Sequence, residues 1–290
     1  MSDTDSKIDV ESFDGIILEQ KWHAAARRGN WPMLKSLLGK VDPQCVDADG
    51  QTALVHAAHK NQIEAVRFLL PLVDAKRADN EGATALLLAA YNGSPECVSM
   101  LLPLSDAKAA DAEGMTPLMW AACSSSAECV NLLIPASDPN ALDNENRTAL
   151  MMAAWTGEIE NVRALLPVSD ASLRDEGRET PFMRAAQSPR GQEKALACMQ
   201  ELLAVSDLRA TDNTGRQALD FAALADNTAC LEYFADFLTD EEAAALVARV
   251  GAEKMPRWVA KKEAEALSGV VAGAQAEGFS GQSRRTPRAL

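Results

Sequence analysis

The stretch Asp111-Ala112-Glu113-Gly114-Met115-Thr116-Pro117-Leu118-Met119-Trp120-Ala121-Ala122 recurs, with substitutions, along most of this chain. Its threonine stands at Thr52, Thr84, Thr116, Thr148 and Thr180, each 32 residues from the next. Leu54, Leu86, Leu118, Leu150 and Phe182 follow two residues later. A pair of alanines closes each unit, at Ala57-Ala58, Ala89-Ala90, Ala121-Ala122, Ala153-Ala154 and Ala185-Ala186. A sixth copy opens at Gln217-Ala218-Leu219, 37 residues after Thr180, so five residues have been inserted. The insertion is expected around Ser188-Pro189-Arg190-Gly191-Gln192, where turn-forming residues cluster. Self-similarity at a fixed period of this size is the signature of a stacked repeat architecture.

Each unit has a physical reading. An aspartate opens it five residues before the threonine (Asp47, Asp79, Asp111, Asp143, Asp175 and, in the sixth copy, Asp212). Glycine follows as Gly50, Gly82, Gly114 and Gly215 and favours a tight turn. The threonine suits a helix N-cap, and the Pro or Ala after it the first helical turn. The short alanine-rich helix ends near Asn61, Gly93 or Gly157. A second helix carries Val66-Arg67-Phe68-Leu69-Leu70, Val98-Ser99-Met100-Leu101-Leu102 and their equivalents, and is stopped by Pro71, Pro103, Pro135 or Pro167. Paired alanines allow close helix approach, and the leucine rows fill the space between neighbours. No single unit of this size buries its apolar face alone.

The pattern Asp-x-x-Gly-x-Thr-Ala/Pro-Leu-x-x-Ala-Ala-x-x-Gly resembles the ankyrin repeat over roughly residues 16–240. The resemblance implies an all-α solenoid of antiparallel helix pairs with β-turn fingers. Three features depart from it. The period is shortened in the Pro-x-Ser-Asp segments, such as Pro103-Leu104-Ser105-Asp106 and Pro167-Val168-Ser169-Asp170. The family's frequent histidine is replaced by Val55, Leu87, Met119, Met151 and Met183, so its usual link must be lost or replaced by packing. Asn146 and Arg178 stand where the finger glycine is expected, which predicts differently shaped tips there.

The expected division is a flexible acidic N-terminus at 1–14 and a capping repeat at 15–46. Repeats follow at 47–78, 79–110, 111–142, 143–174, 175–211 and 212–238, then capping helices at 239–267 and a disordered tail at 268–290. In the N-terminal cap, Trp22 to Gly29 matches the first helix and Leu34 to Leu38 the second, with a polar outer face. Thr239 and Glu242 are spaced as a capping box for a helix to about Val250, and Pro256 opens another to about Leu267. The tail carries the chain's basic patch, Arg284-Arg285-Thr286-Pro287-Arg288. It reads either as solvated or as a docking peptide or anion contact.

The composition, 47% hydrophobic and 24% charged, is that of a soluble globular protein. A net charge of −14 disfavours nucleic acid and anionic membranes and favours basic protein surfaces. No apolar run approaches a membrane span, and Met1-Ser2-Asp3-Thr4-Asp5 is acidic where a secretory signal is basic. Cys45, Cys97, Cys123, Cys129, Cys198 and Cys230 include no C-x-x-C pair. They read as reduced core thiols of a cytoplasmic protein.

Catalysis and cofactors find no support: no nucleophile motif joins His23, His56 and His59, and no phosphate loop occurs. His56 and His59 share a helix at a spacing two metal ligands could use, but no third ligand accompanies them. No metal or cofactor is expected, and the chain is read as a non-enzyme.

Function is therefore expected on the surface. In a stack of this kind the finger tips and the exposed side of the first helices form a concave face. After each Ala-Ala pair stand Arg27-Arg28, His59-Lys60, Tyr91-Asn92, Cys123-Ser124, Trp155-Thr156 and Gln187-Ser188, all taken as exposed. Tyr91 and Trp155 are the aromatic anchors of a contact surface, unless each is explained by local packing. Asp49, Glu81, Glu113 and Glu145 stand two residues after successive finger aspartates, so they line about 30 Å of rim if neighbouring helices pack roughly 8–10 Å apart. They form either a solvated edge or a receptor for a basic partner segment.

The reading is a monomeric adaptor or inhibitor that binds a protein along this face. The alternative is an effector-type or enzyme-associated regulatory module whose basic tail contacts membrane or nucleic acid.

Overall fold

A computed structural model describes residues 10–280. They fall into two compact units, one up to Ala218 and one from Leu219 on.

In the first unit the helices pair in order: α1 (Val10–Arg27) with α2 (Trp31–Leu37), α3 (Ala53–His59) with α4 (Ile63–Leu69), α5 (Ala85–Tyr91) with α6 (Pro95–Leu101). Then come α7 (Pro117–Cys123) with α8 (Ala127–Leu133), α9 (Ala149–Thr156) with α10 (Ile159–Leu165), and α11 (Pro181–Ala186) with α12 (Gln192–Leu202). Odd-numbered helices touch in succession and so do even-numbered ones, which makes two layers. Among the described residues the only β-structure is two isolated bridges.

The repeat residues act as their chemistry requires. The hydroxyls of Thr52, Thr84, Thr116, Thr148 and Thr180 each accept the N–H three residues on, at 3.3 Å. Each cap of this kind is worth about 1 kcal/mol. The ten alanines of the five pairs from Ala57 to Ala186 lie at 0% exposure, so neighbouring helices meet on backbone-sized contacts. Leu69, Leu101, Leu133, Leu165 and Leu202 are equally buried, each contributing about 1.5–3 kcal/mol. Val55, Leu87, Met119, Met151 and Met183 are buried as well, so packing takes the place of the missing histidine link.

Five of the six fingers share the same hydrogen bonds, and the fifth in the row keeps one of the two. One oxygen of Asp47, Asp79, Asp111, Asp143 and Asp212 accepts the N–H groups two and four residues on. Asp175 accepts the one from Glu179. Burial opposes ionisation of Asp212, yet donors from Arg216 and Thr214 outweigh it and hold the carboxyl at about 2. Asp47 is likewise held low, with burial opposed by Gln51 N–H and His56.

Successive fingers are also tied to one another. The N–H groups of Asn80, Ala112, Asn144, Glu176 and Asn213 donate to the carbonyls of Asp49, Glu81, Glu113, Glu145 and Gly177, at 2.8–3.0 Å.

The expectation of differently shaped tips at Asn146 and Arg178 is corrected. Their φ angles, 59° and 62°, are left-handed like the 78–81° of Gly50, Gly82, Gly114 and Gly215. Their N–H groups close the same turn onto Asp143 and Asp175. The hydrogen-bonded frame imposes the conformation, and the β-carbon is strained. Arg178→Gly is therefore expected to stabilise the protein by about 1 kcal/mol, the relief of strain exceeding the added freedom of the unfolded chain. Urea unfolding checks this, and a loss of stability would show that the arginine side chain matters more than its backbone.

The insertion is only partly a loop. The second helix α12 has eleven residues where α10 has seven, so an extra turn absorbs most of it. At the N-terminal end α1 begins at Val10, inside the stretch expected to be flexible. The cap's outer surface is less polar than its sequence suggested, since Ile16, Trp31 and Leu38 are exposed.

The second unit contains α13 (Ala218–Leu224), whose first residue lies at the division, α14 (Thr228–Phe234), α15 (Asp240–Val250) and α16 (Pro256–Ser280). The capping box forms: Thr239 N–H donates to Glu242 Oε2 at 2.8 Å, and Glu242 N–H to Thr239 Oγ1 at 3.2 Å. Helix α16 continues past Leu267 to Ser280, which corrects the disordered tail expected from 268. Helix formers Ala272, Ala274, Ala276 and Glu277 separate its glycines. Arg284, Arg285 and Arg288 lie outside the described residues.

Candidate functional site

The second oxygen of each of the first five finger aspartates takes a side chain that varies in type or in position. Asp47 Oδ2 accepts from His56 Nε2 (2.7 Å), Asp79 from Gln51 Nε2 (2.9 Å) and Asp111 from Trp120 Nε1 (2.7 Å). Asp143 pairs with Arg147 Nε (2.7 Å) and Asp175 with Arg184 Nε (2.8 Å). His56, Trp120 and Arg184 share one register, nine residues after their aspartates, which Leu88 and Met152 also occupy. The fixed frame thus presents a row of variable side chains.

Over the middle repeats this row borders a groove of about 620 Å3, within the size range of ligand sites. Tyr91, Trp120 and Trp155 line it together with Met115, Cys123 and Met152. Tyr91 is 49% exposed and Trp155 42%. Tyr91 meets Trp120 edge-to-face, with ring centres 5.1 Å apart and planes at 88°. Between its two anchors the indole of Trp120 has little freedom.

The ionic lining is asymmetric. Glu81 and Glu113 are exposed, and their carboxylates form no hydrogen bond or ion pair among the described residues. Arg147 is taken by Asp143 and by Glu145 (2.9 Å), Arg184 by Asp175 and by Glu179 (3.0 Å). Burial pushes the Cys123 thiol up to about 11, so it is a neutral part of the wall.

Of the residues singled out from sequence, Tyr91, Trp155, Glu81 and Glu113 meet in this groove. Glu145 does not line it. Asp49 borders a smaller polar hollow with Gln51, Asp79 and Asn80. Arg27, Arg28, His59 and Lys60 do not line the groove either. Arg27 reaches the His56 ring at 3.4 Å. There burial, with His56 nearby, pushes His23 down to about 4. His56 is lowered mainly by burial, against its bond to Asp47, and His59 is lowered by burial too. Among the described residues no group of three or more His, Cys, Asp or Glu is placed to hold a metal ion.

Three side chains expected on the surface are buried. Ser124 and Thr156 donate back to the carbonyls of Ala121 and Met152, both at 2.8 Å, and Ser188 accepts from Arg190 N–H. His59, Cys123 and Gln187 are half-buried. A short hydroxyl at a helix end caps its own last turn rather than facing solvent.

Sequence reasoning missed Trp120, Met115, Met152, Arg147 and Arg184. The signal was the change of residue type at the fourth and ninth positions after each finger aspartate, inside an otherwise repeated frame.

No curated protein matches the chain. A family model for ankyrin repeats (three copies) matches residues 22–111 and again 88–175, which together exceed half of the 290 residues. The match stops at Asp175, the start of the second of the two fingers that lack the glycine, and precedes the longer spacing. With the threonine caps, finger ladder and two helix layers in place, the chain belongs to the ankyrin-repeat family.

Proposed function

We propose that the chain is an adaptor or inhibitor that binds a partner protein through the groove of the middle repeats. Ankyrin repeats are protein–protein interaction modules in general. The observation that carries the proposal is the convergence of Tyr91, Trp120 and Trp155, from three consecutive repeats, on one accessible groove. Exposed rings in a contiguous apolar patch mark contact sites, and aromatic anchors at an interface centre typically cost 2 kcal/mol or more when truncated.

The partner would be obtained by affinity capture from the native cell and then titrated. Tyr91→Ala and Trp155→Ala are expected to weaken binding at least tenfold each and to leave the fold intact. Reversing Glu81, Glu113 and Glu145 to lysine is expected to slow association, weaken binding and flatten its salt dependence. Wild-type binding by both aromatic variants, with loss on removal of residues 281–290, would move the site to the arginine tail. It would then favour a membrane or nucleic-acid contact.

The same reading takes the protein as a non-catalytic monomer in the cytoplasm. All six thiols are free, with Cys97, Cys129, Cys198 and Cys230 at 0% exposure, which suits a reducing compartment. No helix among the described residues is long and apolar enough to cross a membrane.

A further inference from the structure

Tyr91 and Trp155 occupy the same position, twelve residues after Asp79 and Asp143, two repeats apart. In the repeat between them that position holds Cys123, half-buried and lining the groove. A small side chain stands where a third ring would otherwise close the gap. On the same helix, Trp120 is pinned by Asp111 and by the Tyr91 ring. The result is an opening bordered by three aromatic rings.

Its electrostatics select what enters. Five lining residues ionise: Glu81, Asp111, Glu113, Arg147 and Arg184. Both guanidinium groups are engaged by carboxylates. Asp111 accepts from Glu113 N–H, Met115 N–H and the Trp120 indole. Glu81 and Glu113 are left as the lining carboxylates with no hydrogen-bond or ion-pair partner among the described residues. Aromatic faces and free carboxylates both favour a cation, and a neutral apolar occupant would leave the two acids next to it without compensation.

The geometry points to an arginine or lysine side chain of an extended partner segment as the occupant of this opening, with Glu81 and Glu113 as its counter-charges. This rests on the partner-binding reading of the groove and gives the partner a chemistry.

The test titrates the full chain with a capped peptide of alternating leucine and glycine carrying one central arginine. The same peptide with neutral, nearly isosteric citrulline is the comparison. Indole N–H shifts of Trp120 and Trp155 report binding. The arginine peptide is expected to bind at least tenfold tighter, and Glu81→Gln with Glu113→Gln to bring the two within about twofold. Cys123→Tyr, which places at this position the ring that Tyr91 places in the preceding repeat, is expected to block both peptides with the helical spectrum unchanged. Equal binding of the two peptides, or no shift with either at millimolar concentration, overturns the assignment. In those cases a tenfold loss of the captured partner in Tyr91→Ala and Trp155→Ala would still uphold the groove as a protein site. Indifference of that partner to both variants would remove the groove reading as well.

Discussion

Ala121→Glu is expected to destabilise the protein by about 3–5 kcal/mol, a large share of the roughly 5–15 kcal/mol that holds an ordinary domain. Ala121 lies at 0% exposure on α7, between α5 and α9, and its carbonyl already accepts from the Ser124 hydroxyl and the Asn161 amide. A carboxylate there would be stripped of water with no partner in reach, the costliest kind of single substitution. Equilibrium urea unfolding of the full chain checks this against Ala112→Glu. Position 112 is exposed, and its counterpart in the fifth finger is already Glu176, so that control should change stability by less than about 0.5 kcal/mol. A loss below about 1 kcal/mol for Ala121→Glu would mean that the helix layer is not packed as described.

Asn161→Cys is expected to cost about 2–3 kcal/mol, although cysteine is what the two preceding repeats and the following one carry at this place, as Cys97, Cys129 and Cys198. The reason lies one repeat earlier. Helices α5 and α9 end beside left-handed glycines, Gly93 and Gly157, and the N–H groups that follow satisfy the last carbonyls. The equivalent residue after α7 is Ser125, which does not adopt that conformation. The amide of buried Asn161 supplies the missing donors, to Ala121 O (3.3 Å), Ala122 O (3.0 Å) and Ser124 O (2.5 Å). Truncation removes this donor from the Ala122 and Ser124 carbonyls, while Ala121 O keeps its bonds from Ser124. Ser125→Gly, by allowing the usual turn, is expected to recover at least about 1 kcal/mol in the double variant. If the two substitutions prove additive, Asn161 is not standing in for the glycine.

What was legible in the sequence was local. A threonine three residues ahead of the N–H it caps, or an aspartate two and four residues ahead of those it binds, is visible as spacing. The finger tips at Asn146 and Arg178 were misjudged because residue preference was read without the hydrogen-bonded frame that overrides it. Trp120 escaped notice because its partner, Asp111, is selected by the fold of the finger onto the helix, and the ninth position carries a different residue in each repeat. The serine and threonine hydroxyls beside the groove looked exposed because spacing alone does not show a side chain turning back on its own helix. Tyr91 and Trp155 were found because their neighbours in register contrast with them. Asn161 shows the opposite case: its departure from cysteine compensates for the loss of the left-handed turn at Ser125, in the preceding repeat.

The ladder joining the fingers has a consequence for how the array comes apart. Every rung uses one amide from a finger and one carbonyl from the finger before it, and no rung skips a neighbour. Opening is then a nearest-neighbour process, and cooperativity is the sum of separate junctions rather than a property of one core. The amides of Asn80, Ala112, Asn144, Glu176 and Asn213 each sit on a single junction, so their hydrogen–deuterium exchange gauges five local free energies along one chain. The order in which they lose protection is the order in which the array frays, and an occupant bridging the middle repeats would slow Ala112 and Asn144 before the others.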